Sequence, residues 1–404
     1  MNQNNSHLIA GFFRYHREKL NYSLRGLVGD GKVVDLSSLS AFENNKRMLS
    51  KQELSFLFDQ IGFDYCTVLN NYAFDQEYTQ ILEFIIFGDT KQAEKMYLSC
   101  VDRGVFSTLG SINFTLLQYF LAGLNSQQIL TDDICHKLIL YYDIEKQSIL
   151  KISDSIHARN NGEFVVAIEM LKEAEQMSYN LKLRAFVSHQ FGIYYGLLGN
   201  YAEATVSLLE AKRKYGEIFG LIPLIQVNLS LGTVYFLTNS YSKAEGVYIE
   251  AYQGTLLLKN SSHLLTKCFN SLCWFYFNTN QYNKVNELLS DKPDNLCDST
   301  NTYFVLSWAS YKVANFEDAV KYALEGQKKF NNDEYACTVY KYIENAALGK
   351  KTGQDALLKK AIEMKNKENS NEFNELLIRE IIDIYERRKN YEKAFKYAKK
   401  LLNR

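Results

Sequence analysis

Apolar positions in the first sixty residues recur at helical spacing and break at short polar turns. Leu8, Ile9, Phe12, Phe13 and Leu20 form one stripe, with Arg14, Arg17, Glu18 and Lys19 on the opposite face. A second helix starts at Ser23 and turns Leu24, Leu27 and Val28 inward before Gly29, Asp30 and Gly31 stop it. A third begins at the N-cap Asp35 and carries Leu36, Leu39 and Phe42 to Asn44 and Asn45. Ser50 and Glu53 then have capping-box spacing ahead of Leu54, Leu57, Phe58 and Ile61.

Beyond this head the pattern changes to a repeated phrase, in which Gly or Asn ends one helix, an aromatic opens the next, and a small residue follows three positions on. The aromatics are Phe164, Tyr201, Tyr241, Tyr282, Phe316 and Tyr391, followed by Ala167, Ala204, Ala244, Val285, Ala319 and Ala394. The first five are 37, 40, 41 and 34 residues apart, a period that predicts stacked helix pairs. The copies built on Tyr201, with Gly192, Tyr195, Leu208 and Ala211, and on Tyr241, with Gly232, Tyr235, Tyr248 and Ala251, resemble the tetratricopeptide repeat. That resemblance implies a right-handed helical solenoid of seven to nine pairs. In it the small residue of the first helix admits the second, and the aromatic fills the wedge between them.

Composition agrees with an all-α chain: only Pro223 and Pro293 interrupt 404 residues. Two uncharged stretches, 104–131 and 218–242, are rich in Ser, Asn, Gln, Thr and Gly, which predicts buried helices and no membrane span. The seven cysteines are scattered, with no CxxC pair and no His at metal-ligand spacing, which fits a reducing, cytoplasmic setting without metal or other cofactor. The N-terminus has no apolar signal core. No Gly-rich phosphate loop, HExxH or GxSxG occurs, so no catalytic residue is expected and the chain reads as a non-enzyme.

Total charge is zero, yet residues 1–51 hold eight basic and four acidic residues. Residues 37–50, with Ser37, Ser38, Leu39, Glu43, Asn44, Lys46, Arg47 and Ser50, resemble the end of the recognition helix and the following loop of phage-repressor-type helix-turn-helix domains. Tyr22, Ser23, Leu24, Arg25, Gly26 and Leu27 resemble the opening of their second helix. Asn45 stands where those domains usually have Gly, and the turn at residues 29–34 is about one residue longer than theirs. The resemblance implies that Ser37, Ser38, Ser40 and Ala41 face base edges of double-stranded DNA, with Arg25, Asn44, Lys46 and Arg47 on phosphates. Leu27, Leu39, Phe42 and Glu43 brace the head.

A head of this kind fused to such repeats is similar in architecture to the peptide-pheromone-responsive regulators of Gram-positive bacteria, the Rgg/PlcR/Rap-type superfamily. The resemblance implies a helix-turn-helix domain at 1–65 and a peptide-sensing, dimerising repeat domain at 66–404, best formed over 185–290. It also implies a homodimer and a short signalling peptide as ligand. Inward positions of the first helices are the candidate peptide contacts: His189, Gln226, Thr233, Phe236, Lys267, Asn270, Trp274 and Phe277, with Asn228 off the inward row. Side-chain amides can bond an extended backbone, and aromatics can form pockets, although aromatics at this spacing more often build a core and His189 suits a satisfied polar role. The other reading is a repeat scaffold that binds a protein such as a response regulator, with the head used for packing or dimerisation.

Overall fold

The computed structural model describes residues 6–70, 74–127, 132–258, 262–291, 293, 300–350, 352–367 and 373–402. All regular structure among the described residues is helical. The chain divides into two compact units, Met1–Ser240 and Tyr241–Arg404.

The head forms the four expected helices, α1 (Ser6–Lys19), α2 (Leu24–Val28), α3 (Leu36–Glu43) and α4 (Lys51–Gln60). Each later start is set by a local side chain. Ser23 Oγ accepts the Gly26 N–H at 3.1 Å, Asp35 accepts the Ser38 N–H at 2.8 Å, and Ser50 and Glu53 close the capping box. Gly29 and Gly31 have φ of +58° and +73°, a region costly for residues with a Cβ, and Asn45 enters it at +54°. Phe12, Phe13, Leu39, Phe42, Leu57 and Phe58 make the core. The expected faces need three corrections. Leu20 and Leu36 are exposed, and Arg17 is only 8% exposed because it turns inward to pair with Glu43.

The head does not end freely. Helices α5 (Tyr65–Asn70), α6 (Asp75–Ile86), α7 (Thr90–Asp102), α8 (Ser111–Leu124) and α9 (Asp132–Lys137) follow in the same unit, and α1 packs against α8. Helix α8, from the first uncharged stretch, is buried nearly all round, and no helix among the described residues is long and apolar enough to cross a membrane. Residues 128–131 of that stretch lie outside the described residues. Next come α10 (Ile144–Asn160), α11 (Phe164–Met177), α12 (Leu181–Leu197), α13 (Tyr201–Glu217) and α14 (Leu221–Leu237).

The second unit holds α15 (Tyr241–Leu256), α16 (Ser262–Asn278), α17 (Tyr282–Glu287), α18 (Thr300–Lys312), α19 (Phe316–Lys329), α20 (Glu334–Ala347), α21 (Gln354–Lys367), α22 (Asn374–Arg387) and α23 (Tyr391–Leu402). The repeated phrase explains the register. All six aromatics are the first residue of a helix, and the residue two positions earlier has positive φ: Gly162, Gly199, Asn239, Asn280, Ala314 and Lys389. A left-handed residue there ends the preceding helix, which is why Gly and Asn recur. The alanines three positions on are buried, as expected. Three of the aromatics do not fill the wedge, however: Tyr241, Phe316 and Tyr391 are 45%, 48% and 66% exposed, whereas Phe164, Tyr201 and Tyr282 are half-buried. Close packing comes instead from the small residues. A Cβ on Gly192 of α12 would lie 2.4 Å from Leu208 Cγ of α13, inside any van der Waals contact.

Candidate functional site

The candidate DNA-facing residues lie on α2, α3 and the loop after α3. Arg25, Ser37, Asn44, Lys46 and Arg47 are exposed, and Ser40 and Ala41 are partly so. Ser38 is buried, and its hydroxyl donates to Asp35 at 2.7 Å while accepting from Arg47 Nη1 at 2.7 Å. That takes Ser38 out of the base-facing set and makes Arg47 partly a brace for the α3 N-terminus. Hydrogen bonds from Ser37 and Ser38 hold the Asp35 carboxyl well below its usual range. Asn44 Nδ2 donates to the Ser40 carbonyl at 2.7 Å and tightens the last turn of α3. Val33 and Leu36, which sequence reasoning passed over or turned inward, are exposed beside Ser37.

Among the repeat helices of the first unit, most of the expected peptide contacts already have internal work. His189 is buried with Nε2 3.2 Å from Ser230 Oγ, its ring edge-on to Tyr215. Gln226 Nε2 donates to the Gly88 carbonyl in the α6–α7 turn at 3.4 Å, and the Tyr215 hydroxyl donates to the carbonyl of Ile86, the last residue of α6, at 3.2 Å. Thr233 is exposed, its hydroxyl donating to the Leu229 carbonyl at 3.1 Å, and Phe236 is half-buried. Asn228 differs from these. It is 3% exposed, and its Oδ1 is buried with no hydrogen-bond partner. Other buried polar atoms among the described residues share this state, Asn113 Oδ1 and Tyr194 Oη among them, and Asn228 is the one of the first unit's expected peptide contacts that has it.

In the second unit Lys267 is exposed on α16, and Asn270 is half-buried with an Oδ1 that has no partner. Trp274, one turn on, is half-buried, stacking on Phe277 at 5.9 Å and meeting Phe373 edge-on at 5.5 Å. Phe277 itself is fully enclosed, 5.7 Å from Phe304. It belongs to the core and not to a surface pocket, because Phe304 and Phe373 close over it.

No family model and no curated protein matches the chain. Solved structures do. The apo form of RapI superposes with a TM-score of 0.62 at 14% identity, covering 80% of this chain and 94% of its own. The apo form of the quorum sensor NprR from B. thuringiensis gives 0.58 at 13%, covering 81% and 97%. A Rap protein complexed with Competence and Sporulation Factor gives 0.54 at 13%, covering 81% and 96%. The chain therefore has the all-α, tetratricopeptide-like solenoid fold of the Rap and NprR structures.

Sequence reasoning missed a buried lysine in this region. Lys214 Nζ donates to Ser188 Oγ at 2.8 Å and lies 3.5 Å from Glu210 and 3.7 Å from Glu175. Its sequence neighbours gave no signal, since a Lys in a charged helix reads as solvated. Cys66, Cys100, Cys268, Cys273 and Cys337 are free thiols, and Cys135 donates to the Thr115 carbonyl at 3.5 Å. Cys297 lies outside the described residues. Burial pushes the Cys268 thiol up to about 12, so it is not a nucleophile at neutral pH.

Proposed function

We propose that this chain is a cytoplasmic DNA-binding regulator, acting as a homodimer without a cofactor or catalytic step, whose repeats bind a short signalling peptide. One observation carries the reading. A single compact unit joins a capped α2–α3 pair, with Arg25, Ser37 and Lys46 exposed, to repeat helices holding a buried amide oxygen without a donor. Within the head, residues 1–65, the stretch 1–51 with eight basic and four acidic residues supplies the basic excess that displaces counterions from a duplex. Ser37, Ser40 and Ala41 face base edges, aided by apolar contact from Val33 or Leu36 to thymine methyl groups. Arg25, Asn44, Lys46 and Arg47 hold phosphates.

Peptide binding falls to residues 66–404. There Asn228 and Asn270 offer acceptors to backbone N–H groups, while Lys267 and Trp274 set side-chain preference. The fold shared with the quorum sensor NprR, and with a Rap protein that binds Competence and Sporulation Factor, supports a signal-binding role.

Selection of duplexes from a random double-stranded pool by the full chain tests the DNA half. Enrichment of a two-half-site sequence is expected, with dimeric mass by analytical ultracentrifugation. Titration calorimetry with synthetic peptides from small reading frames beside the gene tests the other half. A chain that binds peptide, captures a response regulator and enriches no duplex would be a scaffold, and the DNA assignment would fall.

A further inference from the structure

Helix α3 ends against a residue from outside the head. The Ser40, Phe42 and Ala41 carbonyls accept from the N–H groups of Asn44, Asn45 and Lys46 at 3.1, 2.9 and 2.9 Å. The Glu43 carbonyl is left over by this turn, and the hydroxyl of Tyr141 donates to it. Tyr141 closes the short 3-10 turn Ile139–Tyr141, between α9 and α10. Both residues are buried, so no bulk water can replace that bond.

The same phenol ring touches α1. A Cβ on Gly11 would lie 2.9 Å from Tyr141 Cγ and 2.5 Å from Ile112 Cδ1, so α1 can rest on the ring only because residue 11 is Gly. The Glu43 carboxylate in turn accepts from Arg17 Nε at 2.5 Å and Nη2 at 2.8 Å, and Arg17 Nη1 donates to the Tyr22 carbonyl at 2.9 Å. His16 Nε2 lies 2.9 Å from the Phe106 carbonyl, and Lys137 reaches Glu18 at 3.2 Å. Burial pushes the Tyr141 hydroxyl up to about 12, so it stays a donor at physiological pH.

We propose that Tyr141 is a positioning residue for DNA reading: its hydroxyl pins the C-terminal end of α3 to the helices after the head and so sets the angle at which Ser37 and Ala41 are presented. This rests on the α2–α3 reading above. It follows that the head and the segment around α8 and α9 move as one piece, and that a signal reaching Tyr141 reaches the bases.

Tyr141→Phe in the full chain keeps the ring against Gly11 and removes only the donor. The probe is the duplex selected from the random pool, with a scrambled duplex of equal length as reference. Affinity for the selected duplex should fall about tenfold, or ~1.4 kcal/mol, while affinity for the scrambled duplex, the salt slope and the circular dichroism stay unchanged. Ile112→Val, which trims the same contact without touching a donor, should bind like the parent chain. The proposal is overturned if Tyr141→Phe keeps the parent preference, or if Ile112→Val loses as much. Enrichment of no duplex would sink the DNA reading itself, a different outcome from an enriched duplex that ignores Tyr141.

Discussion

Under the proposed reading, Asn228 lies where stability and peptide binding pull apart, and Asn228→Leu measures the difference. In the free chain its Oδ1 is buried without a donor, on a helix whose Ile225, Leu229 and Leu231 are also buried. An unpaired buried carbonyl oxygen costs about 1–3 kcal/mol. Leu has a similar volume, removes that oxygen, and is the better helix former by roughly 0.5 kcal/mol. The free chain should gain about 1–3 kcal/mol, which for a unit of this size raises the melting temperature by about 2–4 °C per kcal/mol. Urea denaturation and calorimetry of the full chain would read it, with two transitions fitted separately if both units report. Peptide binding should be lost in the same variant, since its backbone N–H groups then meet a methyl group. A loss of 1 kcal/mol or more in the free chain would refute the reasoning, because it would mean that the amide already supports the scaffold. Greater stability with peptide affinity retained would keep the orphan and remove its role.

Three further outcomes are expected. Gly192→Ala gains about 1 kcal/mol of helix propensity but forces Leu208 aside at about 1–3 kcal/mol, so urea midpoints should fall, and Leu208→Ala in the same chain should cost less than the sum of the two. Lys46→Glu should weaken all duplexes alike and lower the salt slope by about 1 in a filter-binding titration; a sequence-dependent loss would place Lys46 on a base. His16 is held down to about 4 by burial, against 6.5 for an open imidazole. The unfolded chain therefore takes up its proton first, and stability present above pH 6.5 is lost as pH falls toward 4, by up to about 3 kcal/mol. His16→Gln should flatten melting temperature against pH over that window, and an unchanged slope would assign the acid sensitivity elsewhere.

Local chemistry was readable and long-range chemistry was not. The caps at Ser23, Asp35 and Ser50 bond groups three residues away, so the sequence around them holds everything the geometry needs. The repeat was readable for the same reason: the turn needs a left-handed residue, and Gly or Asn supplies it. Three of its aromatics misled, because the first residue of a helix lies at the layer's edge, where Tyr391 stays exposed while Ala394 goes inside. Arg17, Lys214 and Tyr141 lay beyond reach. Their partners Glu43, Ser188 and Glu43 again are 26, 26 and 98 residues distant, and a charge or phenol in a helix carries no mark of a remote acceptor.

The polar groups on the repeat helices also constrain what can bind. His189 has Ser230, Gln226 has Gly88 and Lys214 has Ser188, so these positions are committed before any ligand arrives. Among the described residues, Asn228 Oδ1 in the first unit and, separately, Asn270 Oδ1 in the second are buried amide oxygens without a partner, as is Asn113 Oδ1 on α8, and each is an acceptor. A ligand that satisfies them must bring donors. Under the proposed reading these are backbone N–H groups, which an extended peptide directs to one side at every second residue. A segment with proline at the contacting positions has no N–H there and would leave the oxygens as costly as before. Binding free energy at these amides therefore comes partly from relieving a penalty built into the empty chain. That also explains how a short, mostly extended peptide can compete with the entropy of its own ordering.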